Sequence, residues 1–347
     1  MNVSAARELP PPDWTAELET LGACPLCGSP ARTLLYSGMR DILFRVAPGL
    51  WNIHRCDACG CRYVDPRPTR ASILLCYDQY FTHDAPAPDS LLAPRTLARR
   101  LRNDYLASRF GYALPNREPF GRYLVRALPP RRRRYERLVR DLPAPDRPGA
   151  RLLDVGCGNG DFLVRMRELG WQVAGQDPDP GAARVVRELG IECSERPLSA
   201  DSFSEPFDAI TLHHVIEHVH DPIELLGACR SLLVPGGRLW LATPNAESFA
   251  AQRFGRDWLA LDCPRHLVVF TQPSLDFALG RAGFESASVK ADLGMYGAVG
   301  TAVDLARRTH GGNRLRPVEV HLQNAVADLV MLVRPSLGDD LVATARA

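Results

Sequence analysis

The nine residues Leu152-Leu153-Asp154-Val155-Gly156-Cys157-Gly158-Asn159-Gly160 constrain this chain more than any other stretch. A short apolar run ends in glycines at alternate positions, and a helical pattern, Asp161–Leu169, follows until Gly170 stops it. Glycine permits positive φ and lets a backbone approach a ligand where any Cβ would collide. The helix after the turn starts with unpaired N–H groups and the positive end of its dipole, a seat for an anionic group. About 20 residues after the glycines a second strand, Trp171–Gln176, ends at Asp177, placed to accept hydrogen bonds from both ribose hydroxyls of a nucleoside. Strand, glycine turn, helix, strand and acid together predict a doubly wound α/β sheet with a nucleoside-bearing cofactor.

The rest of the C-terminal half keeps this rhythm. A helix through Arg187 is ended by Gly190, Phe207–Leu212 reads as a strand, and a helix over Glu224–Leu232 ends at Pro235-Gly236-Gly237 before the strand Arg238–Thr243. Strands separated by short helices predict βαβ units and a parallel sheet. Dinucleotide sites favour Gly-x-Gly-x-x-Gly with a pyrophosphate over the helix start. Here the spacing is Gly-x-Gly-x-Gly, and Asp154 before it would repel a pyrophosphate but suits the amino group of an amino-acid-bearing cofactor.

Asp154–Gly160, Asp177, Phe207–Ile210 with Leu212–Val219, and Leu233–Gly237 resemble, in order, the signatures of class I S-adenosylmethionine-dependent methyltransferases. The resemblance covers roughly residues 150–347. It implies a Rossmann-like, seven-stranded, mostly parallel sheet whose last strand is antiparallel, and Asp340–Ala345 fits that strand. It also implies that Gly156, Gly158 and Gly160, with Cys157 and Asn159 in the same turn, cradle the methionine part of S-adenosylmethionine, with Asp154 near its amino group. Asp177 would bind the ribose, Pro178 and Phe203 would pack on the adenine, and His213 would border the methyl group.

Methyl transfer displaces a good leaving group, so an enzyme mainly aligns donor and acceptor and removes the acceptor's proton. Titratable groups at the carboxyl ends of the fourth and fifth strands are the candidates. One cluster is His213, His214, Glu217, His218 and His220. The other is the loop Trp258–Leu267, containing Cys263-Pro264-Arg265-His266-Leu267. With Pro244-Asn245 and Phe270-Thr271 around it, this loop resembles that of bacterial methyltransferases acting on small molecules and glycans, where it caps the acceptor pocket. Histidine titrates near neutrality, and His266 is the first expectation for the general base, with His218 second. His214, Glu217 and His218 share a helical face at i, i+3 and i+4. Ubiquinone-pathway O-methyltransferases resemble this stretch and hold a divalent ion there, but His214 stands where they carry an acid. Plain lining of cofactor and substrate is the expectation at these three residues.

The N-terminal part is of another kind. Residues 1–19, with Pro10-Pro11-Pro12, read as a loose tail. Cys24-Pro25-Leu26-Cys27 and Cys56-Asp57-Ala58-Cys59 are two Cys-x-x-Cys knuckles, each followed by glycine, within a compact unit over 20–68. Four thiolates satisfy tetrahedral zinc in a closed, structural site, so Cys24, Cys27, Cys56 and Cys59 are expected to hold it, with Cys61 and His54 as spare ligands. So small a unit lacks core area, and the metal would supply much of its folding energy.

Residues 69–149 read as helical pieces broken by prolines, as at Ala85-Pro86-Ala87-Pro88 and Pro129-Pro130, with a helix from Arg131 to Asp141. The formal charge of +2 conceals a basic 86–150, where 15 Arg and six acidic residues give +9 and leave −7 elsewhere. A solvated Arg-rich connector is the expected meaning, and an RNA partner the less favoured one. No apolar run of membrane length and no secretory leader pattern is present, and the cysteine pairs suit a reducing compartment, so a cytoplasmic protein is expected. The expected activity is methylation, first of all O-methylation, of a small-molecule, natural-product or glycan acceptor. An RNA N-methyltransferase or a deoxysugar C-methyltransferase is the alternative.

Overall fold

Apolar strands that alternate with amphipathic helices bury themselves only when stacked side by side under the helices. The computed structural model describes residues 17–77, 90–93, 96–284, 286–292 and 316–347. The Pro10–Pro12 tail and the Ala85–Pro88 break lie outside the described residues. In chain order the N-terminal strands are β1 (Leu18–Glu19), β2 (Arg32–Met39), β3 (Trp51–Cys56), β4 (Arg62–Val64) and β5 (Arg67–Pro68). Helices α1 (Leu97–Phe110), α2 (Gly121–Arg126) and α3 (Pro129–Arg137) follow. Next come β6 (Arg151–Val155), α4 (Asp161–Glu168), β7 (Gln172–Gln176), α5 (Pro180–Glu188) and β8 (Glu192–Ser194). The chain continues with β9 (Phe207–His213), α6 (Pro222–Leu232), β10 (Leu233–Pro244), α7 (Phe249–Phe254), β11 (Val268–Val269) and α8 (Gln272–Arg281). It ends with β12 (Ser288–Asp292), α9 (Pro317–Val333) and β13 (Asp340–Arg346).

The main sheet has seven strands in the order β12-β13-β10-β9-β6-β7-β8. Only β13 runs against its neighbours, pairing antiparallel with both β10 and β12. The expected seven-stranded, mostly parallel sheet with an antiparallel last strand is therefore present. From β6 the chain builds outward through β7 and β8, then crosses back to β9 and β10 on the other side. The crevice outside the carboxyl ends at that reversal is where such sheets bind ligands. Leu152, Leu153 and Val155 of β6 are buried, as a central parallel strand requires.

Several boundaries differ from expectation: Leu18–Glu19, within the expected loose tail, pair with Arg67–Pro68, and α6 starts at Pro222 rather than Glu224 because Asp221 caps it there. β10 starts at Leu233 rather than Arg238, with a register irregularity between those residues. Gly237 accommodates the irregularity: a Cβ there would lie 2.8 Å from the Val234 carbonyl oxygen. Helix α3 starts at Pro129 and ends at Arg137, not Arg131 to Asp141. Prolines suit a first helical turn, whose N–H groups have no partner. The helix stops early because Arg140 and Asp141 adopt φ of 48° and 53°, which turns Arg140 into the sheet.

Of the connector's arginines, Arg133, Arg137 and Arg140 turn inward, whereas Arg100, Arg109, Arg117, Arg126, Arg131, Arg134 and Arg147 stay exposed, as a solvated face would. Arg133 pairs with Asp292 at 2.8 Å and with Glu136, Arg137 with Asp292 and Asp340, and Arg140 with Asp154. Part of the positive charge that favoured a nucleic-acid partner is thus spent on the protein's own carboxylates. The N-terminal unit is also joined to the rest. Its sheet has the order β11-β4-β3-β2, and β11 belongs to the loop after β10. Among the described residues, no helix is long and apolar enough to cross a membrane.

Candidate active site

The glycine turn lies at the carboxyl end of β6, where Gly156, Gly158 and Gly160 have φ of 67°, 53° and 83°. A Cβ at Gly156 would come within 2.4 Å of Val215 Cγ2, so no larger residue fits. The Gly158 N–H donates to Asp177 Oδ2 at 2.8 Å, and the Asp179 N–H to Asp177 Oδ1 at 3.0 Å. Asp177 is thereby fixed at the end of β7 with a second lone pair on each oxygen. Asn159 Oδ1 accepts from the Asp161 N–H at 3.2 Å, and Cys157 packs against Gly175, where a Cβ would be 2.7 Å from its Sγ.

Asp154 is buried completely. Its Oδ1 accepts from Thr211 Oγ1 at 2.9 Å and from Arg140 Nη1, while its buried Oδ2 has no partner. Burial raises its pKa against the opposing effect of Arg140. An unsatisfied buried acceptor costs about 1–3 kcal/mol, so Oδ2 is an acceptor suited to a bound donor group such as an ammonium. Arg140 engages Asp154 and Thr211 through Nη1 alone, which leaves the other N–H groups of its fork. Its guanidinium carbon lies 3.6 Å from the Phe162 ring centroid and 5.7 Å from that of Trp240. Sequence reasoning missed Arg140 and Thr211. Only the turn signal of the following prolines hinted that the end of α3 folds inward.

Asp154, the glycine turn, Asp177 and His213 are thus gathered along one edge of the sheet. His213 stacks on Trp240 at 6.0 Å and meets the His214 ring edge-on at 4.6 Å. Burial, together with the charge on His214, pushes its pKa well below the ordinary histidine value. Phe203 packs edge-on against Phe207 at 5.2 Å, and Pro178 is exposed.

The histidines divide into three kinds. His220 Nε2 bonds to the Pro68 carbonyl at 2.9 Å and serves the N-terminal unit. His214, at φ 55°, places Nδ1 3.1 Å from Glu217 Oε1 and Nε2 3.6 Å from Asp340. Burial alone would lower its pKa, but Asp340 and Glu217 raise it to about 10 and hold it as an imidazolium. His218 and His266 form a pair with ring centroids 4.6 Å apart. His266 Nδ1 is 2.8 Å from the Ala260 carbonyl, and His218 Nδ1 is 3.1 Å from the Arg265 carbonyl. A carbonyl only accepts, so each Nδ1 carries the proton and each Nε2 is a bare acceptor. Tyr77 Oη lies 2.8 Å from the same Nδ1 of His218. Burial, and then the neighbouring His266, lowers the pKa of His218 to about 4.

Glu217, His218 and His266 bring one ligand-type atom each within 4.8 Å. The group that converges is therefore this one, not the expected face of His214, Glu217 and His218. The short segment Ile216–His218 is a 3₁₀ turn, so the α-helical spacing does not apply, and His214 is committed to two carboxylates.

The His214 cluster makes stability depend on pH in a defined way. Burial would raise Glu217, but His214 holds it at about 2, below the ordinary 4.5. Its contribution is complete above about pH 4.5 and is lost as pH falls toward 2. His214 is raised from 6.5 to about 10, so its contribution is complete below 6.5 and is lost as pH rises through 10. The lowered His213 and His218 add stability as pH rises to about 6.5, so the melting temperature should peak near pH 6.5 and fall on both sides. His214→Gln should flatten the alkaline limb, and an unchanged alkaline limb in that variant would contradict the assignment.

The cysteine knuckles bring the Sγ atoms of Cys24, Cys27, Cys56 and Cys59 within 4.8 Å of one another. Cys27–Cys56 and Cys24–Cys59 are 3.4 and 3.8 Å apart, close to the roughly 3.8 Å between thiolates at tetrahedral zinc. Cys61 Sγ lies 3.4 Å from Cys24 and 3.5 Å from Cys59, a fifth thiol beside the four. Gly28 and Gly60, at φ 75° and 78°, close the two turns.

The family model described as "Methyltransferase domain" matches residues 130–289. Those residues, somewhat under half of the chain, match a methyltransferase domain. The match begins in α3 and so includes Arg140 with the glycine turn, the histidine pair and the loop Trp258–Leu267. The methyltransferase domain is 39% identical over 140 residues to a protein of Xanthomonas campestris pv. campestris (strain B100) named ubiquinone biosynthesis O-methyltransferase. That alignment covers 37% of this chain and 59% of the relative. The namesake from Xanthomonas axonopodis pv. citri is 37% identical over 139 residues, covering 36% and 58%. The chain thus spans less than two thirds of the length of the curated relatives it matches. Among solved structures, a SAM-dependent methyltransferase from Archaeoglobus fulgidus aligns with a TM-score of 0.41 and 20% identity, over 64% of this chain and 94% of that one.

Proposed function

We propose that this protein transfers the methyl group of S-adenosylmethionine to a hydroxyl oxygen of a small-molecule acceptor. The observation that carries the proposal is the buried, unpartnered Oδ2 of Asp154 beside Arg140 at the glycine turn. A carboxylate lone pair and guanidinium N–H groups side by side match the ammonium and carboxylate of an amino acid. They do not match a pyrophosphate. Asp177 would hold the ribose, Gly156, Cys157, Gly158, Asn159 and Gly160 the methionine part, and Phe203 and Pro178 the adenine. The donor supplies the activated methyl group, and the protein aligns it.

His266 acts as general base. Its Nδ1–H is fixed to the Ala260 carbonyl, which leaves Nε2 as the acceptor, 4.0 Å from Asp262 Oδ2, on a ring that packs against His218. His218, lowered to about 4, is neutral at physiological pH and a weak proton acceptor, so it orients the acceptor hydroxyl and leaves the proton to His266. The names of the curated relatives, ubiquinone biosynthesis O-methyltransferases, support oxygen as the atom methylated and a small molecule as the acceptor class. Arg133 and Arg137 of α3 spend their charge on Asp292 and Asp340, which lowers the charge that an RNA acceptor would need. Zinc on Cys24, Cys27, Cys56 and Cys59 is structural, because four thiolates leave no open position. Titration with S-adenosylhomocysteine tests the donor half of the proposal, and transfer of labelled methyl to a catechol tests the acceptor half.

A further inference from the structure

Arg265, in the loop that carries His266, is entirely buried, as is the side chain of Asp41 in the loop after β2. Arg265 Nη1 and Nη2 donate to the two oxygens of Asp41 at 2.9 and 2.7 Å, and Nε donates to Asp262 at 3.0 Å. Nη1 also reaches the Cys76 carbonyl at 3.2 Å. Asp41 in turn accepts the backbone N–H groups of Phe44, Val46 and Ala47 at 3.1, 2.9 and 3.1 Å. A guanidinium held this way, as a planar fork between two carboxylates, fixes its own backbone. Both neighbours of that backbone are functional: the Arg265 carbonyl accepts from His218 Nδ1, and the next residue is His266.

We infer that Asp41, in the cysteine-bearing unit, is a positioning residue that acts through Arg265 to set the tautomer and direction of both His218 and His266. The N-terminal unit is then part of the acceptor site, which agrees with the pairing of β4 with β11 just beyond His266. Lysine at 265 could not replace the fork, and asparagine at 41 keeps the shape of the carboxylate but loses its charge and one acceptor. The assignment rests on His266 serving methyl transfer, but its test does not.

The test is ¹⁵N NMR of the histidine rings in the zinc-loaded full-length protein, with melting temperature and zinc content recorded alongside. In the wild type, His266 and His218 should each show one tautomer with a slowly exchanging Nδ1 proton. Asp41→Asn and Arg265→Lys should both give mixed tautomers and fast Nδ1 exchange well below their melting temperatures. Turnover of a catechol should fall about 10²-fold with the donor KM unchanged, the scale expected for a misplaced catalytic group. Asp41→Glu should restore part of both. If the folded variants keep the wild-type tautomers and slow exchange, Asp41 merely stabilises the fold and the inference is overturned. Should neither variant fold, hydrogen exchange of the wild type decides. The amides of Arg265, His266 and Leu267 must then exchange at the same slow rate as those of Phe44, Val46 and Ala47, and much faster exchange in that loop overturns it. Failure to bind S-adenosylhomocysteine would count against the proposed function and leave these ring signatures as a separate result.

Discussion

His266→Ala should lower methyl transfer by about 10²-fold or more at neutral pH, the usual loss on removing a general base. Donor affinity should scarcely change. Asp154, Arg140, Asp177 and the glycine turn lie at the ends of β6 and β7, whereas His266 stands on the loop after β10. His218→Ala should cost less, because that ring, buried and lowered to about 4, orients rather than accepts. It also stays neutral above about pH 5, so its own protonation cannot gate activity in the physiological range. Steady-state kinetics of both variants, with calorimetric donor affinity as the control, separate the two roles. Near-normal turnover in His266→Ala with loss in His218→Ala would move the base to the segment after β9.

Loss of the metal should have an effect of similar size on the fold. Purified protein should contain about one zinc per chain, and Cys24→Ser or Cys56→Ser should lose both the metal and most of the soluble protein. Structural zinc contributes on the order of 10–16 kcal/mol in small zinc modules, more than the stability of most domains. Here the damage should also reach the acceptor loop, since β11 and Arg265 are anchored in that unit. Cys61→Ser should keep the metal, because Cys24, Cys27, Cys56 and Cys59 already form a closed set. Elemental analysis that finds no zinc in freshly reduced protein would exclude the site.

The main sheet was legible from the sequence because its strands and helices follow simple rules of period and turn chemistry. The glycine turn, Asp177 and the two knuckles were legible for the same reason, since each is local. What escaped were contacts that join distant segments. Arg140 looks like any other arginine of a basic connector, and only its left-handed backbone and the burial of Asp154 give it a role. The pairing of β11, from the loop after β10, with β4 of the N-terminal unit could not be read from two valines. The grouping of Glu217, His218 and His266 depends on a 3₁₀ turn and on a loop 47 residues away from His218 at Arg265, where helical spacing had suggested His214 instead. The inward turn of Arg133 and Arg137 escaped because the carboxylates that bind them, Asp292 and Asp340, come from the last strands.

Calorimetric titration with S-adenosylhomocysteine is the most direct measurement of whether this chain is a methyl-donor enzyme. The glycine turn, the unpartnered oxygen of Asp154 and the fixed carboxylate of Asp177 together predict one site per chain with micromolar affinity. Asp177→Ala removes the ribose acceptor and should weaken binding at least about tenfold, the loss expected for hydrogen bonds to a charged group. The wild type should show no heat with NAD, whose pyrophosphate would face Asp154. Binding of NAD with none of S-adenosylhomocysteine or S-adenosylmethionine would contradict the donor assignment and the catalytic roles that depend on it.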